Sequence, residues 1–220
     1  MILLINDVLN DDDVAKVTDK LNAMRFVDGT VTAGWHAKLV KNNMQVDRQQ
    51  VEYGPLNKAV TEAIMRNPTF RMAARPRNVT PLLFSRYRDG MEYGTHVDDP
   101  VMHNMRSDIS FTLALADPSA YEGGELVMET TGGEQAYKLK AGQMIMYPST
   151  TLHRVTPVTK GERVAAVGWC QSFLRSAEQR EILYDLDLAR RAIFEKEKKS
   201  REFDVISRCH ANLMRMWMDG

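Results

Sequence analysis

A β-rich core of short strands, closed as a sandwich or barrel of which the jelly roll is one common solution, with helices at both ends, is the fold the sequence predicts. Three observations carry it. Between about 81 and 173 the β-rich runs ISFTLAL, GELVME, AYKLK, QMIMYP and RVAAVGW alternate with the Gly-containing turns EGG, TGG, KAG and TKGE. Ahead of that region, apolar residues recur twice at helical spacing, and behind it they do so twice more. The chain therefore reads as an α+β protein in three parts: an N-terminal helical and strand support region over 1–80, the β core over 81–175, and a C-terminal helical segment over 176–220.

The first helix follows from NDDDVAKVTDKLNAM, where acidic capping residues precede Val14, Val17, Leu21 and Met24 on one stripe. The second follows from GPLNKAVTEAIMRNP, with Leu56, Val60 and Ile64 between helix-breaking ends. After the strands, SAEQ reads as a capping box at Ser176. Two C-terminal stripes follow, Ile182, Leu186, Ala189 and Ile193, then Phe203, Ile206, His210, Leu213 and Trp217, joined by the solvated run EKEKKSRE. Those stripes are expected to pack on the core or to form a homodimer contact.

Composition narrows the partners. Lys plus Arg and Asp plus Glu both number 29, so no global basic field favours nucleic acid or an anionic membrane. The two cysteines form no CxxC pair and no zinc-finger spacing, which fits a reducing cytoplasm. No apolar run approaches a membrane span, and the N-terminus lacks the basic start of a signal peptide. A soluble, cytoplasmic protein is expected.

The chemistry concentrates in GTHVDD. In extended chain, residues two apart share a face, so His96 and Asp98 can converge on one atom. His153, in what reads as a β-hairpin, supplies a second imidazole. Two histidines and one carboxylate leave coordination positions open, the arrangement with which non-haem Fe(II) oxygenases hold a cosubstrate and dioxygen together. Arg163 lies ten residues after His153, on the expected return strand, with Ala165, Val167 and Trp169 on its face. A guanidinium among apolar and small side chains calls for a carboxylate partner, and a dicarboxylic acid chelating the metal at one end offers one at the other. The conjunction suggests 2-oxoglutarate. Tyr87 and Tyr93 can reach such a pocket, His103 is a candidate substrate or supporting residue, and His36 and His210 are expected to be structural or exposed.

The segments VKNNMQ, LFSRYRDGMEYGTHVDDP, RSDISFTLALADPSAYEGGELVMET, AGQMIMYPSTTLHRVTPVTKGERVAAVGWCQS and QREILYDLDLA resemble, in the same order and over nearly the whole chain, the PKHD-type hydroxylases, bacterial and phage relatives of prolyl 4-hydroxylase among the Fe(II)/2-oxoglutarate dioxygenases. The resemblance implies a double-stranded β-helix, or jelly roll, with iron on His96, Asp98 and His153, 2-oxoglutarate on Arg163, and a cosubstrate-lining tyrosine at Tyr87. It also implies ascorbate as reductant and hydroxylation with release of succinate and CO2, the substrate being a prolyl peptide, an amino acid or a small metabolite. Asp98 argues for hydroxylation, since related halogenases lack that carboxylate. HVDDP and VGWCQS depart from the usual family pattern, which places the difference at the pocket rim.

Two alternatives stand beside this reading. The arginines at 66, 71, 75, 77, 86 and 88 form a locally basic region that a nucleic-acid demethylase would use. Alkylation-repair dioxygenases, however, carry a second arginine six residues after the cosubstrate arginine, where this chain has Trp169. The other alternative is a metal-binding jelly-roll module without turnover.

Overall fold

The computed structural model describes residues 1–219. Helix α1 (Asp11–Asn22) starts where the Asn10 side chain accepts a 2.8 Å bond from the Asp13 N–H, and three aspartates in its first turn favour the positive end of the helix dipole. Val17 and Leu21 are buried, with Val14 packed beside them. In α2 (Tyr53–Arg66) the buried residues include Leu56, Val60 and Ile64, and the Tyr53 hydroxyl donates to the Leu82 carbonyl at 2.9 Å.

A third helix, α3 (Pro68–Ala74), was not anticipated, because Pro68 reads as a helix breaker. Proline is tolerated in the first helical turn, where its missing N–H has no partner to lose. Asn67 caps that turn by accepting from the Thr69 and Phe70 N–H groups at 3.0 and 3.1 Å. Phe70, Ala73 and Ala74 are then fully buried.

The strands form two main antiparallel sheets. The larger runs Leu3–Ile5, Met144–Pro148, Ile109–Ala114, Arg163–Ser172, Leu83–Tyr87, Met44–Val46 and Phe26–Asp28, with Pro76–Val79 paired to the far end of Arg163–Ser172. The smaller runs Gly133–Tyr137, Leu126–Thr130, His153–Val155, Glu92–His96 and Lys41–Asn42. Period-two alternation divides the larger sheet between two cores. Phe111, Leu113, Met144 and Met146 join α1, α2 and α3 in one cluster. Ala114, Ile145, Tyr147 and Tyr87 meet Leu126, Met128 and Val155 of the smaller sheet in the other. Two facing sheets with helices outside the larger one give the β-rich jelly-roll architecture expected of the sequence.

The expected hairpin between His153 and Arg163 does not form. His153–Val155 belongs to the smaller sheet and Arg163–Ser172 to the larger, and Val158–Gly161 between them pairs with Tyr121–Gly123 instead. The chain changes sheets there, so the two side chains approach the cavity from opposite walls.

At the C-terminus, Ser176 caps α4 (Ala177–Glu197) by accepting from the Gln179 N–H, and α5 (Arg201–Trp217) packs against α4 with Phe194 and Phe203 rings 5.1 Å apart. The α5 stripe is as expected, with His210 buried and Phe203, Ile206, Leu213 and Trp217 half-buried. In α4, by contrast, Arg180, Leu183 and Asp187 face inward, and Ile182 is 47% exposed. A buried polar network sets that rotation: Asp187 pairs with Arg75 at 2.8 Å and Arg190 at 2.5 Å, and Arg180 donates to the Leu174 and Arg175 carbonyls. Among the described residues no helix is long and apolar enough to cross a membrane.

Candidate active site

His96 ends the strand Glu92–His96 and stands directly opposite His153 on the neighbouring antiparallel strand. Directly opposed side chains on one sheet face lie close together. The ring centroids are 4.3 Å apart. Each Nδ1 lies at hydrogen-bond distance from the carbonyl two residues earlier, His96 from Gly94 at 2.8 Å and His153 from Thr151 at 2.9 Å. A carbonyl only accepts, so both Nδ1 atoms carry the proton and both Nε2 atoms present a lone pair. Burial and the neighbouring His153 hold His96 well below the ordinary imidazole range, which keeps it neutral. Tyr93 stacks on His96 at 3.7 Å, and Tyr147 meets His153 edge-on at 5.0 Å, so both rings are clamped.

Asp98 lies two residues past the end of its strand, yet its carboxylate turns back to 3.9 Å from His153 Nε2. The buried Ser110 hydroxyl donates to Asp98 Oδ2 at 2.5 Å, and Ser149 Oγ stands 2.9 Å behind it. Ser110 has a single hydroxyl hydrogen, so Ser149 donates to it in turn. One ligand atom each from His96, Asp98 and His153 fall within 4.8 Å of one another. Two imidazoles with Nδ1 held by backbone carbonyls and one anchored carboxylate, on one side of a cavity, suit a divalent transition metal with open positions.

Arg163 opens the strand Arg163–Ser172 opposite Tyr87, and its guanidinium lies 5.2 Å from the Tyr87 ring centroid. It is 7% exposed, and among the described residues it makes no ion pair. Gly124 closes on its stem: φ is +68°, and a Cβ there would come within 3.0 Å of Arg163 Cδ. A buried guanidinium without a carboxylate is a site waiting for an anion.

A cavity of about 230 Å³ joins these groups, lined by His96, Asp98, His153, Arg163 and Tyr87 together. His103 also lines it, on the turn of a two-stranded hairpin. His36 lines it as well, half-buried, between two short 3-10 turns rather than in a regular helix. Lys41, Asn43 and Gln45 were not singled out from the sequence. In VKNNMQ they read as an ordinary polar stretch, with no alternation to mark a buried face. Two arginines of the basic run are committed to ion pairs, Arg75 with Asp187 and Arg86 with Glu162, both with side chains 16% exposed.

Comparison with known proteins agrees with this geometry. The sequence pattern of the 2OG-Fe(II) oxygenase superfamily matches residues 82–171. A PKHD-type hydroxylase of Rippkaea orientalis is 52% identical over 220 residues, covering 99% of each chain, and one of Acaryochloris marina is 51% identical over 219 residues, covering 100% of each. Among solved structures, a Pseudomonas putida prolyl-4-hydroxylase superposes with TM-score 0.54 at 20% identity, over 78% of this chain and 92% of that one. A Trichoplax adhaerens prolyl hydroxylase superposes with TM-score 0.58 at 14% identity, over 83% and 86%. At those identities the likeness is one of fold.

Proposed function

From the premise that the chain belongs to the PKHD-type hydroxylases, enzymes of the 2OG-Fe(II) oxygenase superfamily, we propose that it hydroxylates a prolyl peptide, an amino acid or a small metabolite, with succinate and CO2 as coproducts. The observation that carries this is the convergence of His96, Asp98 and His153 in the cavity whose opposite wall holds the unpaired Arg163. His96 and His153 offer Nε2 to Fe(II) because their Nδ1 protons are committed to backbone carbonyls, and Asp98 offers a carboxylate oxygen, the group being oriented by Ser110 through Oδ2.

Arg163 takes the distal carboxylate of 2-oxoglutarate, and the Tyr87 ring beside it limits where the guanidinium fork can point. Bound iron supplies the activation of dioxygen coupled to decarboxylation of that cosubstrate. Tyr93, Tyr147 and Leu126 wall the reacting region from bulk water. Ascorbate serves as the reductant that keeps the metal ferrous, by likeness to the family. Nucleic acid is disfavoured as substrate, since Trp169 stands where repair enzymes carry a second arginine and Arg75 and Arg86 of the basic run are held in ion pairs.

The cysteines Cys170 and Cys209 are both unpaired, in keeping with the cytoplasm. The apolar side chains that α4 and α5 leave exposed, Ile182, Leu188, Phe194 and Val205, support a homodimer contact there, which sedimentation measures. Conversion of 2-oxoglutarate to succinate with Fe(II), and none with Zn(II), tests the reaction class and separates it from a metal-binding module without turnover. Mass spectrometry of lysate proteins and metabolites for the gain of one oxygen identifies the substrate.

A further inference from the structure

Resting on that reading, we propose that Lys41, Asn43 and Gln45 form the primary-substrate subsite and that the substrate carries a carboxylate, received by Lys41. The three residues lie two apart along the segment where the chain crosses from the smaller sheet (Lys41–Asn42) to the larger (Met44–Val46), at the cavity between the two. All three line the cavity, at 8%, 3% and 3% exposure. A buried face with this composition is the reverse of what packing alone selects.

Each member is prepared differently. Lys41 Nζ donates to Thr32 Oγ1 at 3.1 Å, and Thr32 donates in turn to Gln45 Oε1 at 2.7 Å, which commits the Gln45 oxygen. Lys41 makes no ion pair among the described residues, so its other N–H groups are free for a ligand. Asn43 is more telling. Neither its amide nitrogen nor its amide oxygen has a hydrogen-bond partner, and Tyr87 approaches without reaching hydrogen-bond geometry. Buried amides are rarely left this way, and the cavity is where a partner can arrive. Gly29 makes the placement possible, since a Cβ there would lie 1.8 Å from Asn43 Oδ1. Trp169 Nε1, also in the cavity lining, is a further buried donor without a partner.

Electrostatics selects the sign of the ligand. Arg163 answers the distal carboxylate of 2-oxoglutarate, while Asp98 and the proximal carboxylate answer the metal. Asp99 and Arg48, also in the lining, are opposite in sign. Lys41 is the charge left over in the cavity. Its ammonium lies 5.0 Å from the Tyr93 ring centroid, and Tyr93 stacks on His96, so an anion held there places the rest of a small molecule beside the metal. Burial pushes Lys41 down to about 8, a desolvation cost that an incoming carboxylate would relieve.

The test uses the anaerobic Fe(II)–2-oxoglutarate complex of the full chain, read by its metal-to-ligand absorption, with a panel of N-acetyl amino acids and their matched carboxamides as probes. The expected result is that at least one carboxylate perturbs the band with a Kd about tenfold or more below that of its amide. In Lys41→Met that ratio falls to about threefold or less while the 2-oxoglutarate Kd stays within about threefold, and Lys41→Arg keeps the preference. Equal binding of the matched pairs to the wild type, or binding of none of them up to about 10 mM, overturns the proposal without recourse to any variant. Loss of 2-oxoglutarate binding in a folded Lys41→Met protein also overturns it, because Lys41 would then belong to the cosubstrate. Failure of the wild type to develop the band at all would instead sink the iron and 2-oxoglutarate reading.

Discussion

His96 and His153 are cross-strand partners, residue against residue, in two antiparallel strands whose sequences lie far apart. Each projects its Nε2 lone pair into the cavity because its Nδ1 is tied to the carbonyl two residues earlier in the chain. Replacing either by Ala, or Asp98 by Ala, removes a ligand outright and is expected to weaken Fe(II) binding by more than about 100-fold, the upper range for loss of a mere supporting contact. Anaerobic Fe(II) titration measures it. Wild-type turnover by Asp98→Ala would show that the carboxylate has no part in the site.

Ser110→Ala leaves all three ligand side chains in place but releases Asp98 Oδ2. The expected loss is about 10–100-fold in metal affinity, the usual effect of removing a partner that orients a ligand. Because Ser110 is fully buried in the central strand Ile109–Ala114, the variant's circular dichroism should match wild type while its metal titration shifts. An unchanged titration would mean that Ser110 and Ser149 only fill polar space.

Arg163→Ala is expected to cost about 2–5 kcal/mol of 2-oxoglutarate binding, roughly 30- to several-thousand-fold, while leaving Fe(II) affinity nearly unchanged. Arg163→Lys restores part of it, since an ammonium keeps the charge but not the planar fork. The absorption titration under anaerobic Fe(II) reads both. A shift under about threefold for Arg163→Ala would reassign the carboxylate to another group.

Lys41 should make the protein less stable at neutral pH than it would be without the charge. Its folded pKa is depressed to about 8, so below that value the folded state bears the full cost of a buried ammonium. As pH rises from about 8 toward the ordinary lysine value near 10.4, the folded state sheds the proton while the unfolded state keeps it, and stability rises. Lys41→Met is therefore expected to be about 1–3 kcal/mol more stable than wild type at pH 7, with the gap narrowing by pH 10. Urea unfolding at the two pH values gives the comparison, and a gap that widens with pH contradicts the burial of the charge.

Asp187→Ala leaves Arg75 and Arg190 without their buried carboxylate and is expected to cost about 3–5 kcal/mol. Asp187 is held below its ordinary value by those arginines against the opposing effect of burial. Its contribution is thus complete above the unfolded carboxylate pKa near 3.9 and is lost as pH falls through the lower folded value. The difference between wild type and variant in denaturant melts should not shrink from pH 7 to 5, where the neighbouring His210 loses the favourable charge of Asp187 in the variant, and should shrink in stronger acid. A loss of cosubstrate binding in place of stability would contradict this purely supporting role.

The sequence by itself determined the local elements and the chemistry. Apolar spacing placed α1 and α2, Ser176 placed the start of α4, and the alternation in ISFTLAL and RVAAVGW placed the central strands. It also singled out His96, Asp98, His153 and Arg163 as candidates, because metal-ligand and cation chemistry restricts residue types whatever the fold, whereas the cosubstrate-lining role of Tyr87 came from the family resemblance.

What the tertiary structure decided were relations between distant segments, which local periodicity does not encode. Strand register, set by the two faces each strand must bury, put His153 opposite His96 and Tyr87 opposite Arg163. The change of sheet between His153 and Arg163 replaced the expected hairpin and set imidazole and guanidinium on opposite walls of one cavity. The rotation of α4 was fixed by the partners of Asp187, over 100 residues away in the case of Arg75. The same holds for Lys41, Asn43 and Gln45: in VKNNMQ they read as an ordinary polar stretch, and only the sheets closing over them made their burial a statement about a ligand.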